Sequence, residues 1–254
     1  MKYFVNTDSI VRKIWGRADT VLFIFAGAAA EFALNKAVDW LYFTGRLPAD
    51  PLNRLFSTVT YARQIIFSEE EAALRSIDKI TAIHQGVEQS RGLQIPDWAY
   101  RDVLFLLIDY SIRSFELLDR KLTDEEKTEV FDVFYQVGQR MHLQGLPNNR
   151  IKWQQMREQH LQKNLQHSTF TADLYLQYKK HLGKSRYLLL LQVQSHLVPD
   201  IVNEQLTLKK AKRFKLVLVC YKLLRRFGID APFRNALLPG EYKVQIKALD
   251  IPAT

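Results

Sequence analysis

Cysteine is nearly missing from this chain of 254 residues, Cys220 being the only one. A lone cysteine excludes an intramolecular disulfide and any metal site built from several thiolates, and it fits a reducing compartment. Glycine and proline are scarce as well, at 10 and 8 residues. No Gly/Ser-rich or Pro-rich stretch divides the sequence and no internal repeat is visible, so neither a linker nor a second domain is expected. Long apolar runs are absent: VLFIFAGAAA at 21–30 ends at Glu31, far short of the ~18–20 residues that cross a bilayer. The opening MKYFVNTDSIVRKIWG lacks the continuous apolar core of a secretory signal, and the expected location is cytoplasmic, with a membrane-peripheral position open to it.

Several chemical signatures are missing too. There is no glycine-rich phosphate loop, no G-x-S-x-G elbow, and no close histidine pair of the kind that holds a non-haem metal on one helix. Strand-like alternation is confined to YKVQIKAL at 242–249, too short and isolated to build a sheet.

What remains is the composition of a soluble globular protein, 47% hydrophobic and 25% charged, read as one helical domain over residues 1–254. Helical periodicity runs at about 8–15, 18–43, 51–66, 97–120, 149–166, 171–181, 184–196 and 207–227. Two further helices announce themselves by capping boxes, Ser68 with Glu71 and Thr123 with Glu126, in which hydroxyl and carboxylate satisfy the free N–H groups of a first turn. The expected fold is an all-α, single-domain bundle.

The formal charge of +9 is unevenly placed. Between Gln205 and Ile229 stand eight basic residues and no acidic one, a pattern that suits an anionic membrane surface or nucleic acid. The enclosed FKLVLVCYKLL at 214–224 reads more like a core helix with solvated basic ends. Only weak peripheral contact with anionic membrane is therefore expected through 205–229, and no specific nucleic-acid partner.

Two constellations carry candidate chemistry. In the helix after Ser68, Ala73, Ile77, Ile80, His84 and Val87 follow a 4-3-4-3 spacing, which puts His84 inside the apolar stripe. Such a histidine is either a satisfied core residue or a ligand, because both ring nitrogens need partners. Gly86 beside it leaves room for a flat group to approach the backbone. In the preceding helix, Arg54 and Thr58 are four apart on one face, next to an apolar face of Leu55, Val59, Ala62 and Ile66. An arginine there suits a carboxylate or oxyanion, or packs its aliphatic stem on the surface. His160 and His167, seven apart in the polar WQQMREQHLQKNLQH, read as exposed, and His142, His181 and His196 sit near helix ends.

The order of segments is what resembles a known family. An apolar N-terminal helix, DPLNRLFST, a charged helix with IHQGVE, LLIDYSIRSFELL, and LTDEEKTEVFDVFYQVGQRMHLQGLP together are similar to the catalytic domain of latex-clearing proteins and rubber oxygenases. The resemblance spans about 10–165, leaving 170–254 as a helical extension. That family is all-helical and somewhat globin-like, binds haem b through one histidine and activates dioxygen, and its characterised members cleave isoprenoid double bonds. The resemblance puts His84 on the axial ligand and Arg54 and Thr58 on an Arg-x-x-x-Thr motif. Asp39 in KAVDWLYF is the nearest counterpart of an acidic residue proposed as a catalytic base.

Departures narrow the implication. Ser57 stands where latex-clearing proteins carry a lysine able to occupy the distal side of the iron, and Leu107 and Asp109 stand where relatives often have tryptophan and histidine. Polymer cleavage is not expected. The resemblance implies a haem b-dependent oxygenase or oxidase acting on a small apolar molecule, isoprenoid or phenolic, with dioxygen as co-substrate. The alternative is a non-enzymatic haem carrier or sensor, or a peripheral-membrane helical protein.

Overall fold

The computed structural model describes residues 2–45 and 49–232, without the side chain of Leu55. Its described residues form eleven α-helices and no strand: α1 Ile10–Trp15, α2 Ala18–Phe32, α3 Asp39–Phe43, α4 Pro51–Phe67, α5 Glu70–Arg91, α6 Asp97–Leu118, α7 Asp124–Arg140, α8 Arg150–Lys163, α9 Thr169–Leu197, α10 Asp200–Gln205 and α11 Lys212–Arg226. The all-α expectation holds. YKVQIKAL lies outside the described residues.

The bundle is organised around α2, which buries residues on nearly every side and makes its most extensive contact with α6. Close approach of the two helices depends on Gly27, where an added Cβ would lie 2.3 Å from Tyr110 Cδ1 and 2.9 Å from Leu197 Cδ2. Tyr110 is fully buried and its hydroxyl donates to Glu31 at 2.9 Å, so the ring cannot simply step aside. Gly27→Ala is therefore expected to destabilise the protein by about 1–3 kcal/mol through overpacking, seen as a thermal midpoint several degrees lower; an unchanged midpoint would contradict so close a contact. The short α1 plugs one end with Trp15, whose indole donates to Ser111 Oγ at 3.1 Å and meets Phe25 edge-on at 6.1 Å.

Residues 18–43 do not form one helix. After Phe32 the chain leaves the helix to pair with the segment after α8: Lys36 N donates to the Asn164 carbonyl at 3.0 Å and Gln166 N to that of Leu34 at 2.7 Å. Asn35 Oδ1 then accepts from Ala37 N at 2.8 Å, turning the chain into α3. Apolar periodicity continued through the break because Leu34, Ala37 and Val38 are all buried.

Thr123 forms the expected capping box, its Oγ1 accepting from Glu126 N at 3.2 Å while Glu126 Oε2 accepts from Thr123 N at 2.9 Å. Ser68 does not. It ends α4 in extended conformation, and Glu69 precedes α5 without a side-chain cap. The N-terminal segment takes over that task, the Lys2 carbonyl accepting from Glu70 N at 3.0 Å. A box that went unread joins Ser168 and Thr171 at the start of α9, which kinks at Gly183 (φ 72°).

Two burial expectations are overturned. His160 is only 3% exposed, although the polar run around it suggested a surface position. The inward side of α8 is Trp153, Arg157, His160 and Leu161, half of it ionisable, and its partners are carboxylates on α2 and α6. FKLVLVCYKLL is core only through Phe214 and Leu218, whereas Leu216, Val217, Val219 and Leu223 are all exposed. His167 is exposed as expected.

Candidate functional site

The stripe carrying His84 changes character along α5. Ala73 and Ile77 are fully buried, whereas Ile80, His84 and Val87 line an apolar cavity of about 850 Å³. This lies in the size range of pockets for drug-sized ligands. Arg54 and Thr58 line the same cavity from α4, so the structure joins the two constellations read from sequence. Phe23, Ala26 and Phe32 of α2, Leu107 of α6 and Tyr178 of the kinked α9 close it further.

His84 is held by shape rather than by hydrogen bonding. Tyr100 meets its ring edge-on at 5.2 Å, and Tyr100 is itself fixed by donating to Glu88 Oε1 at 3.1 Å. Nδ1 is buried with no hydrogen-bond partner among the described residues. Burial, aided by the charge of Arg54 and opposed by Glu88, lowers the imidazole to a pKa of about 4. At neutral pH the ring is uncharged and keeps an available nitrogen lone pair.

The sign of this shift gives a stability prediction. Between an unfolded pKa near 6.5 and the folded value of about 4, the unfolded chain binds the extra proton, so the contribution of His84 to stability is lost as pH falls through that window. The loss is about 2 kcal/mol at pH 5. His160 works the other way: burial lowers it, but Asp102 and Glu31 prevail and its pKa is raised, so its stabilisation is complete below pH ~6.5 and is lost as pH rises. Urea titrations at pH 7 and 5 should show a smaller drop for His84→Ala than for the parent; equal drops would contradict a neutral, desolvated His84.

The other candidates fall unevenly. Thr58 Oγ1 donates back to the Arg54 carbonyl at 3.1 Å, so it offers the cavity acceptor lone pairs rather than a proton. Ser57 is exposed and donates to the same carbonyl at 2.8 Å, turned onto its own helix. Gly86 borders the cavity, and a Cβ there would meet open space. Of the lateral pair, Leu107 lines the cavity and Asp109 binds Arg113 and Arg157. Asp39 is not brought to the wall. Its carboxylate takes a 2.6 Å ion pair from Arg91, whose guanidinium lies 4.0 Å from the Trp40 ring centroid and 5.4 Å from that of Phe43. Trp40 and Phe43 do line the cavity, so the pair braces two aromatic side chains of the wall. Tyr100 and Glu88 went unread, because nothing in the sequence places the start of α6 against the end of α5.

Among the described residues no three His, Cys, Asp or Glu side chains gather to hold a metal ion, and no helix is long and apolar enough to cross a membrane.

Residues 12–227 match the family described as ER-bound oxygenase mpaB/B'/Rubber oxygenase, catalytic domain. The match covers most of the chain and includes Asp39, Arg54, Thr58 and His84. The chain belongs to this family, an oxygenase catalytic domain, and the match runs beyond the five resembling segments through the whole of α9, α10 and α11. No curated protein and no solved structure matches it significantly.

Proposed function

We propose that this oxygenase domain holds haem b on His84 and acts on a small apolar molecule, isoprenoid or phenolic, with dioxygen as co-substrate. The observation that carries the reading is the convergence of a neutral, incompletely partnered histidine and an arginine on one apolar cavity. The residues fit such a group in three respects. The buried Nδ1 has no hydrogen-bond partner among the described residues and so is open to a ligand. Gly86 presents no side chain to the cavity and the space around it is open, so a flat group can approach the backbone there. A lone histidine ligand suits a metal whose remaining donors come from a macrocycle.

When bound, haem supplies an iron able to bind and activate dioxygen. The chain's own residues then divide the work. His84 would hold the iron through a ring nitrogen, and its low pKa keeps that nitrogen unprotonated well below neutral pH. Arg54 is a planar donor fork suited to a propionate carboxylate or a developing oxyanion. The Thr58 hydroxyl accepts rather than donates, so it orients a donor on a bound molecule. Aliphatic and aromatic walls exclude water and select an apolar substrate by the area they bury.

Oxygen consumption by haem-loaded protein tests the reaction. Uptake that requires both the haem and an isoprenoid or phenolic substrate is expected. Stoichiometric haem binding with no substrate-dependent uptake would instead assign the chain to haem carriage or sensing.

A further inference from the structure

Helix α11 has two apolar stripes, and the body of the protein uses only one. Phe214, Leu218, Tyr221 and Arg225, spaced 4, 3 and 4, face inward. About half a turn away, Leu216, Val219, Leu223 and Phe227 form a second stripe, exposed by 67%, 53%, 53% and 74%. Ile229 extends it beyond the helix end at 56% exposure. The turn that places Ile229 is ordered, with Gly228 at φ 70° and Ile229 N donating to the Leu224 carbonyl at 3.1 Å.

This outward stripe cannot roll inward, because the opposite face is clamped by buried charge. Arg225 Nε donates to Asp19 Oδ2 at 2.8 Å, and its other nitrogens donate to the Leu118 carbonyl at 3.1 Å, to Asp119 Oδ2 at 2.8 Å and to Thr20 Oγ1 at 3.1 Å. Tyr221 adds a bond to Asp19 at 2.9 Å. Turning the helix would carry Arg225 off these acceptors and leave the buried Asp19 carboxylate without this guanidinium partner. Basic residues edge the stripe: Lys215, Lys222 and Arg226 run along one side, Arg213 stands on the other, and Lys212 lies at its N-terminal end. No acidic residue occurs between Leu206 and Ile229.

The geometry points to α11 as an interfacial helix that seats its Leu216, Val219, Leu223 and Phe227 stripe in the surface of an anionic lipid bilayer, with Lys215, Lys222 and Arg226 at the headgroups. An apolar centre with a cationic border is the distribution an in-plane membrane helix requires. A nucleic-acid surface would place its cations at the centre of contact, against phosphates. Pairing with a second copy of this chain would bring like charges together along the border. The inference stands independently of the haem assignment.

Cys220 makes the test direct, because the only cysteine is exposed beside Val219. With a polarity-sensitive fluorophore on Cys220, the full chain is mixed with vesicles containing roughly 30% phosphatidylserine or with neutral phosphatidylcholine vesicles, in low and high salt. Co-sedimentation and a blue-shifted emission are expected with the anionic vesicles, weakening as salt rises. Replacing Lys215, Lys222 and Arg226 together by glutamine should weaken vesicle binding about 100-fold. Leu216→Ser with Leu223→Ser should remove the blue shift, with helical circular dichroism unchanged because both side chains already face solvent.

Failure of the labelled protein to bind anionic vesicles in low salt would overturn the proposal. So would binding that survives both sets of substitutions. A dimer in light scattering that Leu223→Ser dissociates, without vesicle binding, would assign the stripe to a second copy. Retention on single-stranded DNA without vesicle binding would assign the basic border to nucleic acid, and a monomer that binds neither would mean that the stripe is covered by the chain itself.

Discussion

Replacing Arg157 by methionine is expected to cost about 3–5 kcal/mol of stability. Arg157 is 4% exposed and forms a bidentate pair with Glu31, while Nε and NH2 reach Asp109 Oδ2 at 3.2 and 3.0 Å. Burial alone would push Glu31 up, but the guanidinium of Arg157, with help from His160, pulls its carboxyl down to about 2. Without Arg157, the fully buried Glu31 keeps His160 and Tyr110 as side-chain partners and Asp109 keeps Arg113. The compensated replacement should behave differently. Changing Glu31 and Asp109 to apolar residues along with Arg157→Met should recover part of the loss, since neither of those carboxylates is then left buried without its cation and His160 keeps Asp102. Urea unfolding at pH 7 measures both, and a single-variant loss under about 1 kcal/mol would show that this cluster is not desolvated.

The same cluster marks where the sequence becomes hard to read. Helix α7 was legible because apolar period and capping chemistry agree at Thr123, and α6 by its apolar period alone. The inward face of α8 was not, because a buried face made of Arg157 and His160 has the composition of a solvated one. Only the carboxylates opposite, on helices distant in sequence, decide which it is. The error at α11 was the reverse: an apolar stretch between cations resembles core, and the buried Arg225 that fixes its rotation is one basic residue among eight. At Ser68 the expected capping box does not form, and Glu70 N donates instead to the Lys2 carbonyl.

The candidate site was legible to a greater degree. The 4-3-4-3 spacing put His84 on the apolar stripe and the four-residue spacing put Arg54 and Thr58 on one face of the preceding helix; all three line one cavity. Periodicity did not reveal that the stripe leaves the core halfway along α5, since Ile80 and Val87 are apolar whether they face a packed core or a cavity. Tyr100 and the Asp39 to Arg91 pair depend on contacts between separate helices and were out of reach.

The second large effect is expected at His84. Its replacement by alanine removes the one histidine that lines the cavity among the described residues, neutral at pH 7, while the fold keeps Ala73 and Ile77 as the buried anchors of α5. Haem affinity should fall by at least about 100-fold, the upper range seen when even the groups supporting a metal ligand are removed. Helical content should persist, because alanine is the best helix former. Added imidazole should restore haem binding by entering the space the side chain leaves.

The direct measurement is a titration of the purified full chain with haem, followed at the Soret band, for the parent and for His84→Ala with and without imidazole. A saturable one-to-one complex is expected in the parent, with its loss in His84→Ala and its return with imidazole. A parent that forms no Soret-absorbing complex, or a His84→Ala chain whose titration overlays that of the parent, would contradict haem ligation by His84.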